Sequence, residues 1–182
     1  MIPDNDRFRL IDLWREDDIY DPRLVASVFS TSGFTRPANT TAYSANDVMT
    51  DGVKKAMEFP NFSPVPGAAI DILNAIMISS NPAASPGLFD LLLFDSPQDL
   101  ATDNSAYSPS NSDILELLGI VCFDSYNVNA ISSVYHLASF GHLYARLAPG
   151  STSLYGVLVS TAAYTPISTE NFHIKLWGEM VR

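Results

Sequence analysis

The chain has one cysteine, Cys122, among 182 residues. A single thiol excludes an intrachain disulfide and any thiolate-rich metal site. The apolar neighbours of Cys122 predict a buried structural thiol, the usual place of a free cysteine. Basic residues are also scarce, ten against twenty acids, for a net charge of −10. None of the ten lies between positions 56 and 145, although residues 71–124 carry eight acids. Phosphate contacts need Lys and Arg, so nucleic acid is not an expected partner. An acidic central face that keeps copies apart in solution is expected instead. No run approaches the ~18 apolar residues of a membrane helix, so no membrane partner is expected. The first residues have no basic stretch followed by an apolar one, so no secretory leader is expected. Motifs of catalysis are missing too: there is no G-x-S-x-G, no phosphate loop and no H-E-x-x-H. His136, His142 and His173 are scattered, without ligand spacing. Neither an enzyme nor a cofactor is expected.

Hydrophobic residues make up 47% of the chain and charged ones only 16%. Much of the surface must then be uncharged and polar, which suits a protein that lies against other subunits. Two segments are distinguished. Residues 1–24 hold seven of the acids and four of the arginines, with Phe8, Arg9, Leu10, Leu13 and Trp14 among them. Pro3 and Pro22 bracket this stretch, which reads as an extended arm with one local turn. Its large apolar side chains are costly to leave in water, so the arm is expected to dock on its own body or on a neighbouring subunit.

Residues 25–182 read as a single β-domain. Its centre is residues 88–124, two apolar runs (88–94 and 117–123) joined by a loop rich in Asp, Asn, Ser and Pro. Both runs read as strands buried on both faces, and the loop as a surface excursion. Ser112 is a plausible cap for a single helical turn before the second run, with Glu116 near the capping-box position. Further strands are expected at 24–29, 40–43, 54–59, 68–79, 133–138, 143–147, 154–161 and 172–181. Asp51-Gly52 predicts a hairpin turn between Val48-Met49 and the 54–59 strand. Ile70, Ile72, Ile76 and Ile78 share one parity and predict one buried face of the 68–79 strand. In the last strand Phe172, Ile174, Leu176 and Gly178 share a face. About eight to ten short strands without a sustained helix predict an all-β fold, an antiparallel two-sheet sandwich. Runs that are apolar on consecutive residues suit a jelly roll with partly covered outer faces.

Two groups of side chains are candidates for binding. Asp95, Asp99 and Asp103, with Asn104, supply the oxygens that calcium takes, but lack the spacing and glycine of an EF-hand. A solvated acidic loop is the plainer reading. Tyr107, Tyr126, Tyr155 and Tyr164, read as exposed, suit a subunit interface better than a sugar platform.

The ordered motifs T-x-Y-x-x-x-D-V (Thr41, Tyr43, Asp47, Val48), L-F-D-x-P (Leu93, Phe94, Asp95, Pro97), D-N-x-x-Y (Asp103, Asn104, Tyr107) and L-G-x-V (Leu118, Gly119, Val121) are followed by LYGVLV at 154–159. Together the chain resembles the small jelly-roll decoration (cement) proteins of tailed-bacteriophage capsids, over residues 40–181. The resemblance implies a virion structural protein made in the host cytoplasm, a homotrimer on the outer capsid surface. Its partner would be the major capsid protein, and its task to hold the shell against packaged DNA. Phe8, Arg9, Leu13 and Trp14 of the arm would then make capsid or subunit contacts. A tail or fibre module that binds host glycans is the alternative.

Overall fold

The computed structural model of the protein describes residues 27–81, 87–129, 133–138 and 141–181, and for 127–129, 133–135 and 137 the backbone alone. The expected arm, with Phe8, Arg9, Leu13 and Trp14, lies outside these residues.

Short apolar runs punctuated by Pro, Gly and Asn turns give eleven strands: β1 (Ser27–Thr35), β2 (Val48–Met49), β3 (Met57–Phe59), β4 (Ala69–Ser79), β5 (Phe89–Phe94), β6 (Leu117–Phe123), β7 (Ser125–Asn129), β8 (Ser133–Ala138), β9 (Leu143–Arg146), β10 (Leu154–Ser160) and β11 (Asn171–Val181). Among the described residues a single helical turn, α1 (Asn111–Leu115), precedes β6. One sheet has the order β1-β11-β4-β8-β7, with β9 also on β4. The other has the order β2-β10-β5-β6, with β3 also on β10. Every pairing among the described strands is antiparallel, and one set of the pairings is nested. β1 lies on β11, β2 and β3 on β10, β4 on β8 and β9, and β5 on β6. The chain is thus doubled on itself, early strands against late ones, and wrapped into two facing sheets.

Between the sheets, Ile70, Ile72 and Met77 of β4 and Phe172, Ile174 and Leu176 of β11 belong to one apolar cluster with Leu91, Leu93, Val121 and Phe123 of the opposite sheet. The expected face of the last strand is therefore the buried one. Gly156, on the inner side of β10, has no room for a side chain. A β-carbon there would run into Leu91 and Phe59. A second, smaller cluster lies on the outside of the five-stranded sheet, where Val48, Phe94, Val157 and Val159 are closed over by Leu100 and the partly buried Tyr107. The loop between β5 and β6 is thus a cover as well as an excursion. That cover explains why β10 is buried at consecutive positions.

Four local expectations are corrected. Ile70, Ile72, Ile76 and Ile78 do not share the buried face. The pairing of β4 with β11 slips by one residue at Leu73, so burial changes parity to Ala75 and Met77, and Ile76 and Ile78 turn outward. A bulge inserts one unpaired residue, and every later side chain changes side. Asp51-Gly52 does turn the chain, with Gly52 at φ +88°, but it joins no hairpin. β2 and β3 both lie along β10, at Leu158 and Val159 and at residues 154–156. The cap of α1 is Ser110, not Ser112. Its hydroxyl accepts from the Asp113 amide while the Asp113 carboxylate accepts from its own, so the capping box closes with Asp rather than Glu116. Finally, β6 is buried on one side only, because it forms the sheet edge beyond the cover.

Candidate functional site

Two of the motifs, T-x-Y-x-x-x-D-V and D-N-x-x-Y, meet along one seam. The Val48 amide donates to the Ser105 carbonyl at 2.8 Å, the Asn104 amide to the Val48 carbonyl at 2.9 Å, and the Tyr107 amide to the Asn46 carbonyl at 2.8 Å. Beneath this seam Arg36 is buried, its Nη2 3.1 Å from Asp103 Oδ2. Its Nε donates to the Tyr43 hydroxyl, and the guanidinium carbon lies 4.6 Å from the centre of that ring. Tyr43 in turn donates to Asp103 Oδ1 at 2.7 Å, and the Thr50 amide donates to the same oxygen at 3.0 Å. Burial, then the bond to Asp103, pushes the Tyr43 hydroxyl far above its ordinary range, so it stays a donor.

A second buried network adjoins the first. Glu170 accepts from the Tyr164 hydroxyl and from Ser79, and more distantly from the Ile167 amide at 3.3 Å. Asn81 Nδ2 donates to the Tyr164 oxygen at 2.7 Å. Burial raises the Glu170 carboxyl above its usual range, against the lowering pull of Ser79 and Tyr164. The two networks are joined by the Arg36 amide, which donates to the Glu170 carbonyl at 2.8 Å, and by paired backbone bonds between Tyr43 and Tyr164. Most of the donors and acceptors of these groups are spent on one another, Arg36 Nη1 excepted. They fix loops that are 60 to 136 positions apart in sequence, as from Tyr43 to Asp103 and from Thr35 to Asn171. Sequence reasoning passed over Arg36 and Glu170. The signal for both was a charged residue set beside a strand end in a segment otherwise poor in charge.

The expected binding groups are dispersed. Asp103 is held by Arg36, Asp99 is exposed opposite Lys55 in an isolated bridge, and Asp95 lies beside Glu116. No three His, Cys, Asp or Glu among the described residues could hold a metal ion. Desolvation, then the Glu116 charge, raises the Asp95 carboxyl. The four tyrosines share no surface. Tyr164 is in the core, Tyr107 and Tyr155 are half-buried, and only Tyr126, on β7, is exposed. Loop residues by sequence, Tyr107 and Tyr164 are drawn inward, Tyr164 into the main core and Tyr107 onto the smaller cluster outside the five-stranded sheet. His136 is buried, His173 points outward, and His142 Nδ1 meets Asp71 Oδ2 at 2.5 Å.

Cys122 is exposed, contrary to expectation, because it lies on the uncovered side of the edge strand β6. Residual desolvation and the carboxylate of Asp90 raise its thiol, which makes thiolate scarce at neutral pH. Cys122 should therefore react with a maleimide without denaturant, but more slowly than the same thiol in a free peptide. Labelling only after unfolding would contradict this placement.

The described residues line two notable clefts. One, of about 240 Å³, opens at the seam between β1 and β3, lined by Phe34, Met49, Met57, Asp51, Lys55 and Glu58 among others. A shallower one, of about 460 Å³, lies between Pro66, Asp95, Arg146 and Pro149. The outer face of the six-stranded sheet carries a different feature. Phe29 and Trp177 are cross-strand partners, and Lys175 Nζ lies 4.9 Å from the first ring centre and 4.7 Å from the second. Such a cluster of aromatic rings around a cation suits a contact surface. No helix among the described residues is long and apolar enough to cross a membrane. No protein-family model matches the chain, and no curated protein matches it significantly.

Proposed function

We propose that the protein is a capsid decoration protein of a tailed bacteriophage, a jelly roll that binds the outside of the shell as a trimer. The nested pairing supports the fold part of this reading. A jelly roll is a two-sheet antiparallel roll, and first-on-last pairing wrapped into the orders β1-β11-β4-β8 and β2-β10-β5-β6 is what it requires. The observation that carries the reading is that residues of two of the five motifs, T-x-Y-x-x-x-D-V and D-N-x-x-Y, come together as one tie. Tyr43, Val48, Asp103, Asn104 and Tyr107 clamp the cover loop onto β2. Capsid binding then rests on many repeated weak contacts, which avidity makes sufficient. The arm, with Phe8, Arg9, Leu13 and Trp14, supplies the shell contacts, and the acidic body faces outward.

The first test is the abundance of the chain in purified particles relative to the major capsid protein. A ratio near one, or a fixed simple fraction of it, is expected. Removal of residues 1–24 should abolish binding to particles while far-UV dichroism of the β-domain persists. Retained binding by the shortened chain would refute the role given to the arm. The second reading, a tail or fibre module for host glycans, is favoured by Tyr144, which is 65% exposed and stacked on His142. It expects only a few copies per particle.

A further inference from the structure

The two edges of the five-stranded sheet are treated differently. On the β2 and β3 side the cover loop pairs with the edge backbone. Besides its bonds to Val48, the Ala56 amide donates to the Gln98 carbonyl and the Leu100 amide to the Lys54 carbonyl. On the other side β6 pairs with β5 and, among the described residues, with no further strand. An edge strand offers a row of amides and carbonyls to any extended chain, and proteins blunt such edges with lysine, proline or a covering segment. β6 has none of the three. Its residues, Leu-Leu-Gly-Ile-Val-Cys-Phe, carry no charge and no proline. Its pairing slips once, at Leu118, and residues 119–123 are in regular register.

Apolar side chains are exposed along this edge. Ile120 is 46% exposed and shares its face with the exposed Cys122. Leu115, which ends α1 just before the strand, is 87% exposed. Acids stand at both ends. Glu116, held by Ser96 and Gln98, precedes the strand and the exposed Asp124 follows it, while Asp90 is paired opposite Cys122. No Lys or Arg lies between positions 56 and 145, and Arg146 shares its cleft with Asp95 and with no β6 residue. A second copy of β6 is a poor partner, because antiparallel pairing through Ile120 sets Glu116 of one copy against Asp124 of the other, and like charges directly opposite destabilise a pair.

We propose that the open edge of β6 takes up an extended segment of another protein, apolar at alternate positions and basic at both ends. The backbone groups of the edge select a strand, Ile120 and Cys122 select apolar side chains at every second position, and Glu116 and Asp124 select Lys or Arg at its ends. The site goes beyond the capsid reading and is separate from the contacts given to the arm.

The probe is a synthetic peptide with blocked ends, Lys-Thr-Val-Thr-Val-Thr-Val-Thr-Lys, added to the full-length chain. At saturating peptide the exchange of the outward amides of residues 117–123 should slow at least about tenfold. The maleimide reaction of Cys122 should slow with it. The same peptide with Glu at both ends should bind at least about fivefold more weakly. Asp124→Lys, at an exposed position, should remove that preference, and an unchanged melting temperature would show that the variant remains folded. Unchanged exchange of β6 at about 1 mM peptide would overturn the proposal, as would equal binding of the Lys-ended and Glu-ended peptides. β6 amides that are slow in the protein alone and released on dilution would also overturn it, by giving the edge to a second copy.

Discussion

Asp103→Ala is expected to destabilise the fold by about 3–5 kcal/mol, the scale of a buried ion pair that loses one partner. The carboxylate it removes is the only one within ion-pair distance of Arg36 among the described residues, and both side chains are almost wholly buried. Three donors lose their acceptor together: Arg36 Nη2, the Tyr43 hydroxyl and the Thr50 amide. Among the described residues Arg36 Nη1 has no partner and Nη2 keeps only its longer bond to Asn39 Oδ1 at 3.3 Å, so no other charge takes the place of Asp103. The melting temperature should fall by roughly 6–20 °C for a chain of this length. Arg36→Met alone should cost a similar amount, because it leaves the Asp103 charge buried. Arg36→Met with Asp103→Leu should cost much less than the sum, since an apolar pair has no charge to desolvate. Urea unfolding of the four chains measures this cycle. A loss under about 1 kcal/mol for Asp103→Ala, the value of an exposed pair, would mean that water reaches the site.

That pair also marks the limit of what the sequence disclosed. Asp103 reads as a solvated loop acid because its local company is Asp, Asn and Ser. Its partner is 67 positions away, and no local pattern carries a contact of that range. The strands β4, β10 and β11 were legible because each is a long apolar run between turns. The alternation of β11 also disclosed its buried face. β4 did not, since the slip at Leu73 depends on how β11 pairs beside it and leaves no mark in periodicity. Cys122 misled for a related reason. Its apolar neighbours are real, but whether an outward position in a strand is covered depends on which strand forms the edge. The cover loop was visible as an excursion and its residues as motifs. That Leu100 and Tyr107 close a second apolar cluster follows only from the fold.

The second large effect concerns acid. His136 on β8 is fully buried, its ring edge-on to Phe89 at 5.3 Å, and among the described residues neither ring nitrogen has a hydrogen-bond partner. Burial lowers it from 6.5 to about 4. The unfolded chain therefore takes up the proton first as pH falls. The stability that His136 lends is complete above pH 6.5 and is lost as pH falls to about 4, a total of about 3 kcal/mol. Glu170 acts with the opposite sign. Its raised carboxyl means that the folded chain holds a proton the unfolded one has released, so its contribution grows as pH falls towards 4.5. The wild type shows the difference between the two. His136→Leu, of similar bulk and with no nitrogen to leave unpaired, should remain within about 1 kcal/mol of wild type at pH 7. It should flatten or invert the loss of stability between pH 6.5 and 4. Glu170→Gln, which removes the opposing titration, should steepen it. Melting temperatures of the three chains at half-unit steps of pH measure both slopes. Parallel curves for wild type and His136→Leu would show that the imidazole is protonated in the folded state, with water or an acid beside it.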